Sequence, residues 1–438
     1  MKNIFKGKDN ILRKGLASTG IKVFGALSSY VLSFLIAKKF GAEGNGVFAL
    51  FMTYVVILST IFYLGLDFFL VKQISILMNQ KNYLEIKKLY NKILHNYIFP
   101  VLVILIIIGV SLYWYLDKTI VIMVGCGVIL NVFIDINSAV FRGMKMAEWY
   151  SFFIQFSKHF TALVLFVLLI FNDLLDSVLL VYLASLIINS IISFFVLVKS
   201  INSLPKTELL VTEKDYSIIS ILKTSKEFFI TSIIIITMAW IDFILIDIFL
   251  DQKTAGVYSV ALKLSTLISF GFTAFNAFLA PRISEIYFEG APKKLQMLLS
   301  QNYVMIFPML VVPFLGIVLL NEQLLGLFGS EFKSGWIILL LLAGGQFINS
   351  IFGPVSLLLQ MTNFQKIFQN ILIFTLIFKV ICSLIFVKIW EAEGLALASF
   401  IGLSLWAGIG SYFVYNKVGV YSWFGIKELK SIFFKNLG

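Results

Sequence analysis

GLASTGIKVFGALSSYVLSFLIA (15–37) is a long apolar run broken by a single charge, Lys22. KKFGAEGNG (38–46) follows, then VFALFMTYVVILSTIFYLGL (47–66), and Asp67 with FFLVKQIS (68–75) closes the unit. About 20 apolar residues suffice to cross the hydrocarbon core as a helix. The stretch therefore reads as an out-and-back membrane hairpin with a glycine-rich tip and a charge left inside each half.

The bulk composition supports this reading. Of the 438 residues 60% are hydrophobic and only 13% charged, with a mean hydropathy of +0.96. A soluble globular domain is about 25% charged, and so few charges cannot clothe a water-soluble surface. The chain is a polytopic, all-α membrane protein. Its net charge of +12 is what cytoplasmic loops accumulate. No zinc-finger spacing, basic helix or single-strand platform points to nucleic acid. Cys126 and Cys382 both sit in apolar runs, which supports neither a disulfide framework nor a metal site. No small-residue cleavage motif follows a short apolar core, so the first span is expected to be retained rather than removed as a signal peptide.

Working outward, spans are expected at 15–37, 46–70, 94–115, 119–141, 151–171 and 177–198, and again at 228–250, 256–278, 301–320, 335–360, 366–388 and 394–415. With both termini in the cytoplasm, inside segments hold 25 basic residues and outside loops six: Lys38, Lys39, Lys118, Lys253, Lys333 and Lys388. The positive-inside rule fixes that orientation. The segment 199–227, with Pro205 and mixed charge, separates a six-helix lobe (1–198) from a second (228–415), and a basic cytoplasmic tail (416–438) ends the chain. Residues 72–92 place apolar side chains at helical spacing beside lysines, as an interfacial helix does.

The two lobes repeat one another. Gly46-Val47-Phe48 opens the second span and Gly256-Val257-Tyr258 the eighth, 210 positions later. Gln73-Ile74-Ser75 closes the second and Arg282-Ile283-Ser284 the eighth, 209 positions later. An even number of helices per half makes these parallel repeats, related by an axis along the membrane normal, an arrangement transporters use to place substrate between the halves.

The strings IAKKFGAEGNGVFAL (36–50), LGLDFFLVKQIS (64–75), DFILIDIFLDQKTAGVYSVALKL (242–264), APRISEIYFEG (280–290) and LFGSEFKSGW (327–336) together resemble the polysaccharide-transport branch of the multidrug/oligosaccharidyl-lipid/polysaccharide (MOP) exporter superfamily. These are the Wzx-type flippases, and the resemblance covers essentially the whole chain. It implies two six-helix, MATE-like lobes around a cleft in the bacterial inner membrane. It also implies transfer of undecaprenyl-diphosphate-linked oligosaccharide, an O-antigen or related repeat unit of lipopolysaccharide, to the outer leaflet. The implied partners are that lipid-linked oligosaccharide, membrane lipid, and a polysaccharide polymerase with its chain-length machinery. The flippase itself is expected to be a monomer. No residue that selects the sugar carries over.

Charges inside spans mark candidate functional positions, because each costs at least ~2.5–3.5 kcal/mol to insert. Lys22, Lys158 and Lys379 lie deep in spans 1, 5 and 11, Lys263 in the outer half of span 8, His159 beside Lys158, and Arg142 at the inner end of span 4. Deep cations outnumber deep anions, the wrong balance for a structural ion-pair network and the right one for a cavity that passes a diphosphate. Lysine suits this as a point charge on a flexible stem; the bland alternative is snorkelling to the interface, which fits Lys263 best. Of the acids, Asp242 and Asp247 point ~140° apart on one helix. Asp242 is the candidate for H+ or Na+ coupling or for a salt bridge to a lysine, and Asp247 for reaching the outer headgroups. Asp67 and Asp135 lie in inner halves, and a pairing of Asp135 with Arg142 is as good a reading as function. His95 reads as interfacial.

The tip GAEGNG (41–46) follows no strand and lacks the phosphate-loop pattern, so a tight turn is expected. No catalytic cluster, cofactor site or metal site emerges. A membrane enzyme would want clustered catalytic His, Asp or Glu or a large outer loop, and a scaffold leaves the deep lysines unexplained. The alternative to a flippase is a cation-coupled multidrug or small-solute exporter on the same architecture.

Overall fold

The computed structural model describes residues 2–95, 118–169, 176–205 and 218–423. Contacts divide the chain into two compact units, Met1–Ile36 with Phe51–Ile236, and Ala37–Leu50 with Thr237–Gly438. The hairpin tip 37–50 therefore packs with the second unit although it belongs to the first half of the sequence.

Unit 1 is built from most of α1 (Lys2–Tyr63), α2 (Leu66–Asn79), α3 (Tyr83–Ile93), α4 (Lys118–Gly143), α5 (Ala147–Leu168), α6 (Asp176–Asn202) and the first part of α7 (Ile218–Phe249). Unit 2 holds the remainder of α7, α8 (Gln252–Phe288), α9 (Pro292–Gly326), a 3-10 turn (Ser330–Gly335), α10 (Trp336–Ile351), α11 (Val355–Met361) and α12 (Gln365–Val418). Nine helical segments among the described residues are long and apolar enough to cross a membrane. Two of them, the 47-residue apolar part of α1 and the 54-residue α12, extend to about 70–80 Å at 1.5 Å per residue, enough for two crossings each. Eleven of the twelve expected spans thus fall on these helices; the span at 94–115 lies, beyond its first two residues, outside the described residues. Helix is the form the sequence must take here, since only intrasegment hydrogen bonds satisfy the backbone in hydrocarbon.

Where helices break, the local chemistry is visible. The expected turn over 41–46 is confined to one residue: Gly41 has φ 67° and ψ −163°, and helix resumes at Ala42. The expected second span is interrupted at Leu64 (φ 49°) and Gly65 (φ 74°). An added Cβ at Gly65 would lie 2.8 Å from the Phe229 backbone nitrogen and from the Ser225 carbonyl oxygen, so α7 crosses there backbone to backbone. The expected span 335–360 likewise ends at Ile351 and restarts at Val355 after Gly353-Pro354. Pro308 and Pro313 lie inside α9, whose helical path is broken further on at Leu320.

α3 differs from the expectation of an interfacial helix. Ile86, Leu89, Tyr90 and Ile93 are buried, and the Tyr90 hydroxyl donates to Asn137 Oδ1 at 2.7 Å, whose amide donates to Ser193 at 3.0 Å. The apolar stripe is covered by protein rather than lipid.

The repeat has a direct structural counterpart within unit 2. A Cβ added at Gly46 would fall on the Gln252 carbonyl oxygen, and one added at Gly256 on the Ala42 carbonyl oxygen. Each glycine thus packs on the carbonyl four residues before the other, and the two glycines, like the two carbonyl residues, are 210 positions apart. A self-complementary contact of this kind is what a two-fold relation between repeats requires. Small residues permit the close approach that drives helix association where the solvent is lipid. Asn45 secures the crossing, donating to Gly256 O at 3.2 Å and Ser259 Oγ at 2.7 Å.

Candidate functional site

Among the described residues each unit holds a polar cluster built around a lysine and an aspartate from different helices. In unit 1 the cluster begins with a π turn at Phe152–Ser157, immediately before Lys158. π turns insert a residue into the helical repeat and recur at functional positions. Gly25 of α1 lies against this turn, where an added Cβ would be 2.5 Å from the Gln155 carbonyl oxygen. His159 Nδ1 lies 3.1 Å from the same carbonyl. Lys158 is buried, and its ammonium donates to Asn131 Oδ1 at 2.6 Å and to Asp135 Oδ1 at 3.1 Å. Asn131 closes the triangle by donating to Asp135 Oδ2 at 3.0 Å. Asp135 keeps 25% of its side chain exposed.

Around this triangle lie three more of the charges read from the sequence. Arg142 sits over the Tyr150 ring at 5.2 Å and within electrostatic reach of Lys22 and Asp67. Asp67 also feels Asp135, and its Oδ1 is buried without a hydrogen-bond partner among the described residues. Lys22 is exposed on α1. Lys22, Asp67, Asp135, Arg142 and Lys158 therefore share one neighbourhood, assembled from four helices. Asp135 pairs with Lys158 rather than with Arg142.

In unit 2 the centre is Asp242. Its Oδ2 accepts from Tyr258 at 2.8 Å, Ser399 at 2.5 Å and Lys379 at 3.1 Å. Lys379 also donates to the Met238 carbonyl at 2.7 Å, and its stem lies on Gly402, where an added Cβ would be 3.3 Å from the lysine Cβ. Both side chains of this ion pair are 6% exposed. Asp242 Oδ1 is buried and unpartnered among the described residues. Of the alternatives for Asp242, the salt bridge to a lysine is the one the geometry contains. Asp247 is exposed on the same helix, Lys263 is half-buried in α8, and His95 is exposed at the end of its segment.

The excess of deep cations argues against a structural ion-pair network; that argument is corrected for Lys158 and Lys379, because each finds an aspartate across helices rather than along one, and for Lys379 the partner is the salt bridge offered among the alternatives for Asp242. Asn131, Tyr258 and Ser399 escaped the sequence reading. Asn131 had a signal, four residues before Asp135 and so on the same helix face. Tyr258 and Ser399 had none, since hydroxyls on apolar helices are common and only packing aims them at Asp242.

Residues 11–287 match the model of the family described as polysaccharide biosynthesis protein. The chain belongs to that family. The chain is 22% identical over 183 residues to the probable low-salt glycan biosynthesis flippase Agl15 of Haloferax volcanii, a match spanning 42% of this chain and 39% of that relative. Among solved structures, an inward-facing multidrug resistance MATE family transporter of the MOP superfamily superposes with a TM-score of 0.64 at 14% identity, covering 92% of this chain and 98% of that one. The lipid II flippase MurJ in an inward closed conformation gives 0.63 at 15% identity, covering 95% and 90%. At such identities the likeness is one of fold: this family member is a multi-pass membrane protein whose fold is like that of these transporters.

Proposed function

We propose that the chain is a flippase for lipid-linked saccharide, moving an undecaprenyl-diphosphate-linked oligosaccharide, an O-antigen or related polysaccharide repeat unit, from the cytoplasmic to the outer leaflet of a bacterial inner membrane by alternating access. The observation that carries the reading is the polysaccharide biosynthesis match over residues 11–287, on a fold shared with the lipid II flippase. The count of 25 inside against six outside basic residues supports cytoplasmic termini.

The unit 1 cluster supplies chemistry suited to a diphosphate. Arg142 and the exposed Lys22 draw the anion to the cluster. Lys158 exchanges its Asp135 contact for a phosphate oxygen, and Asn131 holds the aspartate meanwhile. Lysine does this as a point charge that follows a moving phosphate. Asp67, with one bare carboxylate oxygen, is the acid placed to take H+ or Na+ as the coupling ion. The protein works as a monomer and delivers its product to a polymerase and chain-length machinery.

The test is flipping of fluorescent lipid-diphosphate-oligosaccharide in proteoliposomes by wild type, Lys22→Ala and Lys158→Ala. Flipping by wild type and its loss in folded variants is the expected result. The second reading, a cation-coupled exporter of multidrug or small-solute type, draws on the buried Asp242 and the MATE likeness; transport of organic cations without any lipid flipping would put it in place of the first.

A further inference from the structure

A cavity of about 410 Å³ opens in unit 2 where three chain reversals meet. These are the start of α8 (Lys253, Thr254), the 3-10 turn (Ser334) and the break in α12 (Trp390, Glu391, Glu393). Its size falls within the roughly 300–1,000 Å³ of small-molecule sites. The polar clusters described above do not contribute to it.

The backbone at this break is unusual. Glu391 has φ 49° and ψ −128°, the conformation of the first central residue of a type II′ turn, where glycine is the usual occupant. Gly394, three residues on, packs on the Phe386 carbonyl and already supplies the small residue that the close approach of the two arms of α12 needs. A strained non-glycine residue held in place points to a role for its side chain. Glu391 is exposed and Glu393 half-buried, and neither carries a hydrogen bond or ion pair among the described residues. Trp390 is 50% exposed and meets Phe386 edge-on at 5.4 Å. Lys253 is 59% exposed, and its long 3.9 Å contact with Glu331 leaves its ammonium open to other acceptors.

We propose that this cavity is a saccharide-binding subsite that receives the glycan moiety of the transported lipid. The proposal rests on the flippase reading for the source of its ligand. A sugar presents hydroxyls that both donate and accept, with an apolar C–H face. Carboxylates accept only and an ammonium donates only, so Glu391, Glu393 and Lys253 together satisfy a polyhydroxyl ring. The indole of Trp390 offers the flat amphipathic surface for its C–H face. A diphosphate would meet two carboxylates, and an organic cation would meet Lys253. The basic residues Lys253, Lys333 and Lys388 near this end belong to the loops assigned outside, where the glycan emerges.

Polyprenyl-diphosphate saccharides extracted from the producing cells serve as one probe, and the oligosaccharide released from them by mild acid as the other. Flip rates in proteoliposomes and saturation-transfer NMR on the full-length protein are compared for wild type, Trp390→Ala, Glu391→Gly and Glu393→Gln. Glu391→Gly removes the carboxylate while giving the turn its preferred residue, so it is expected to unfold no earlier than wild type. The released oligosaccharide is expected to bind wild type, with at least a fivefold loss in Trp390→Ala and in Glu391→Gly and a similar fall in flipping at low substrate. Equal saccharide signals in wild type and Trp390→Ala, or none in wild type, overturn the subsite. So does displacement of the saccharide by tetraphenylphosphonium. If wild type flips no lipid yet binds the released saccharide through Trp390, the subsite stands and the flippase reading falls.

Discussion

The two lysine–aspartate clusters use the same pair of side chains and differ in how far they are closed. In unit 2 both partners are 6% exposed, and Asp242 Oδ2 receives three donors. In unit 1 Asp135 is 25% exposed and the surroundings continue into Arg142, Lys22 and Asp67. Burial sets what a pair can do. A closed pair costs much to break and holds helices in register, whereas an open pair can trade its partner for an incoming anion. On the function proposed above, the difference makes Asp242–Lys379 the structural lock and Lys158–Asp135 the pair that exchanges its partner for the ligand.

The sharpest way to break this contrast is to remove one partner of the closed pair. Asp242→Ala or Lys379→Met leaves an uncompensated buried charge, at a cost of about 3–5 kcal/mol. Thermal unfolding in detergent should register this, and the double variant Asp242→Asn/Lys379→Met should recover more than half of the loss. Single variants as stable as wild type would mean the pair is no lock. Next in size are the glycine crossings. Gly46→Ala and Gly256→Ala each force a methyl onto a backbone carbonyl, an overpacking of about 1–3 kcal/mol. The two-fold contact predicts similar losses from both, and a loss from only one would show the repeats to be unequal there.

Lys158→Ala sharpens the comparison from the other side. Asp135 retains Asn131 and its partial exposure, so the stability cost stays at the lower part of about 1–3 kcal/mol, while flipping is expected to be lost. Equal stability costs for Lys158→Ala and Lys379→Met would erase the distinction between the clusters. The smallest effect is expected at Asp251, the N-cap of α8, which accepts from Thr254 N at 2.7 Å. The hydrogen bonds from Thr254 hold its carboxyl below the usual carboxylate range. Its contribution is therefore present above the ordinary value near 4 and is lost as pH falls through the lowered one. Asp251→Ala should cost about 1 kcal/mol at neutral pH, and the gap to wild type should narrow in acid.

Much of this was legible from residue order. The hairpin 15–75, the limits of the described spans to within several residues, and the equivalence of Gly46 and Gly256 in the repeat followed from apolar run length and a repeated Gly-Val pair; that the two glycines pack on one another did not. The charged residues of the unit 1 cluster were all singled out as well. Their convergence was not visible, because Lys22, Asp67, Asp135 and Lys158 lie on four helices whose rotation about their axes no run of apolar residues specifies. Helices such as α7, apolar nearly all round, carry little stripe from which to infer a buried face.

The sequence by itself determined that this is a helical membrane protein with internal repeats and ionisable groups inside its spans, since hydrocarbon tolerates no other backbone and penalises each charge. Only the tertiary structure decided which charges are neutralised and which stay open. It also decided that residues 37–50 pack with unit 2 and that Glu391 stands in a glycine's conformation beside an exposed tryptophan. Those outcomes depend on contacts between residues far apart in the chain, where close packing of small residues and cross-helix hydrogen bonds, rather than hydrophobicity, select the arrangement.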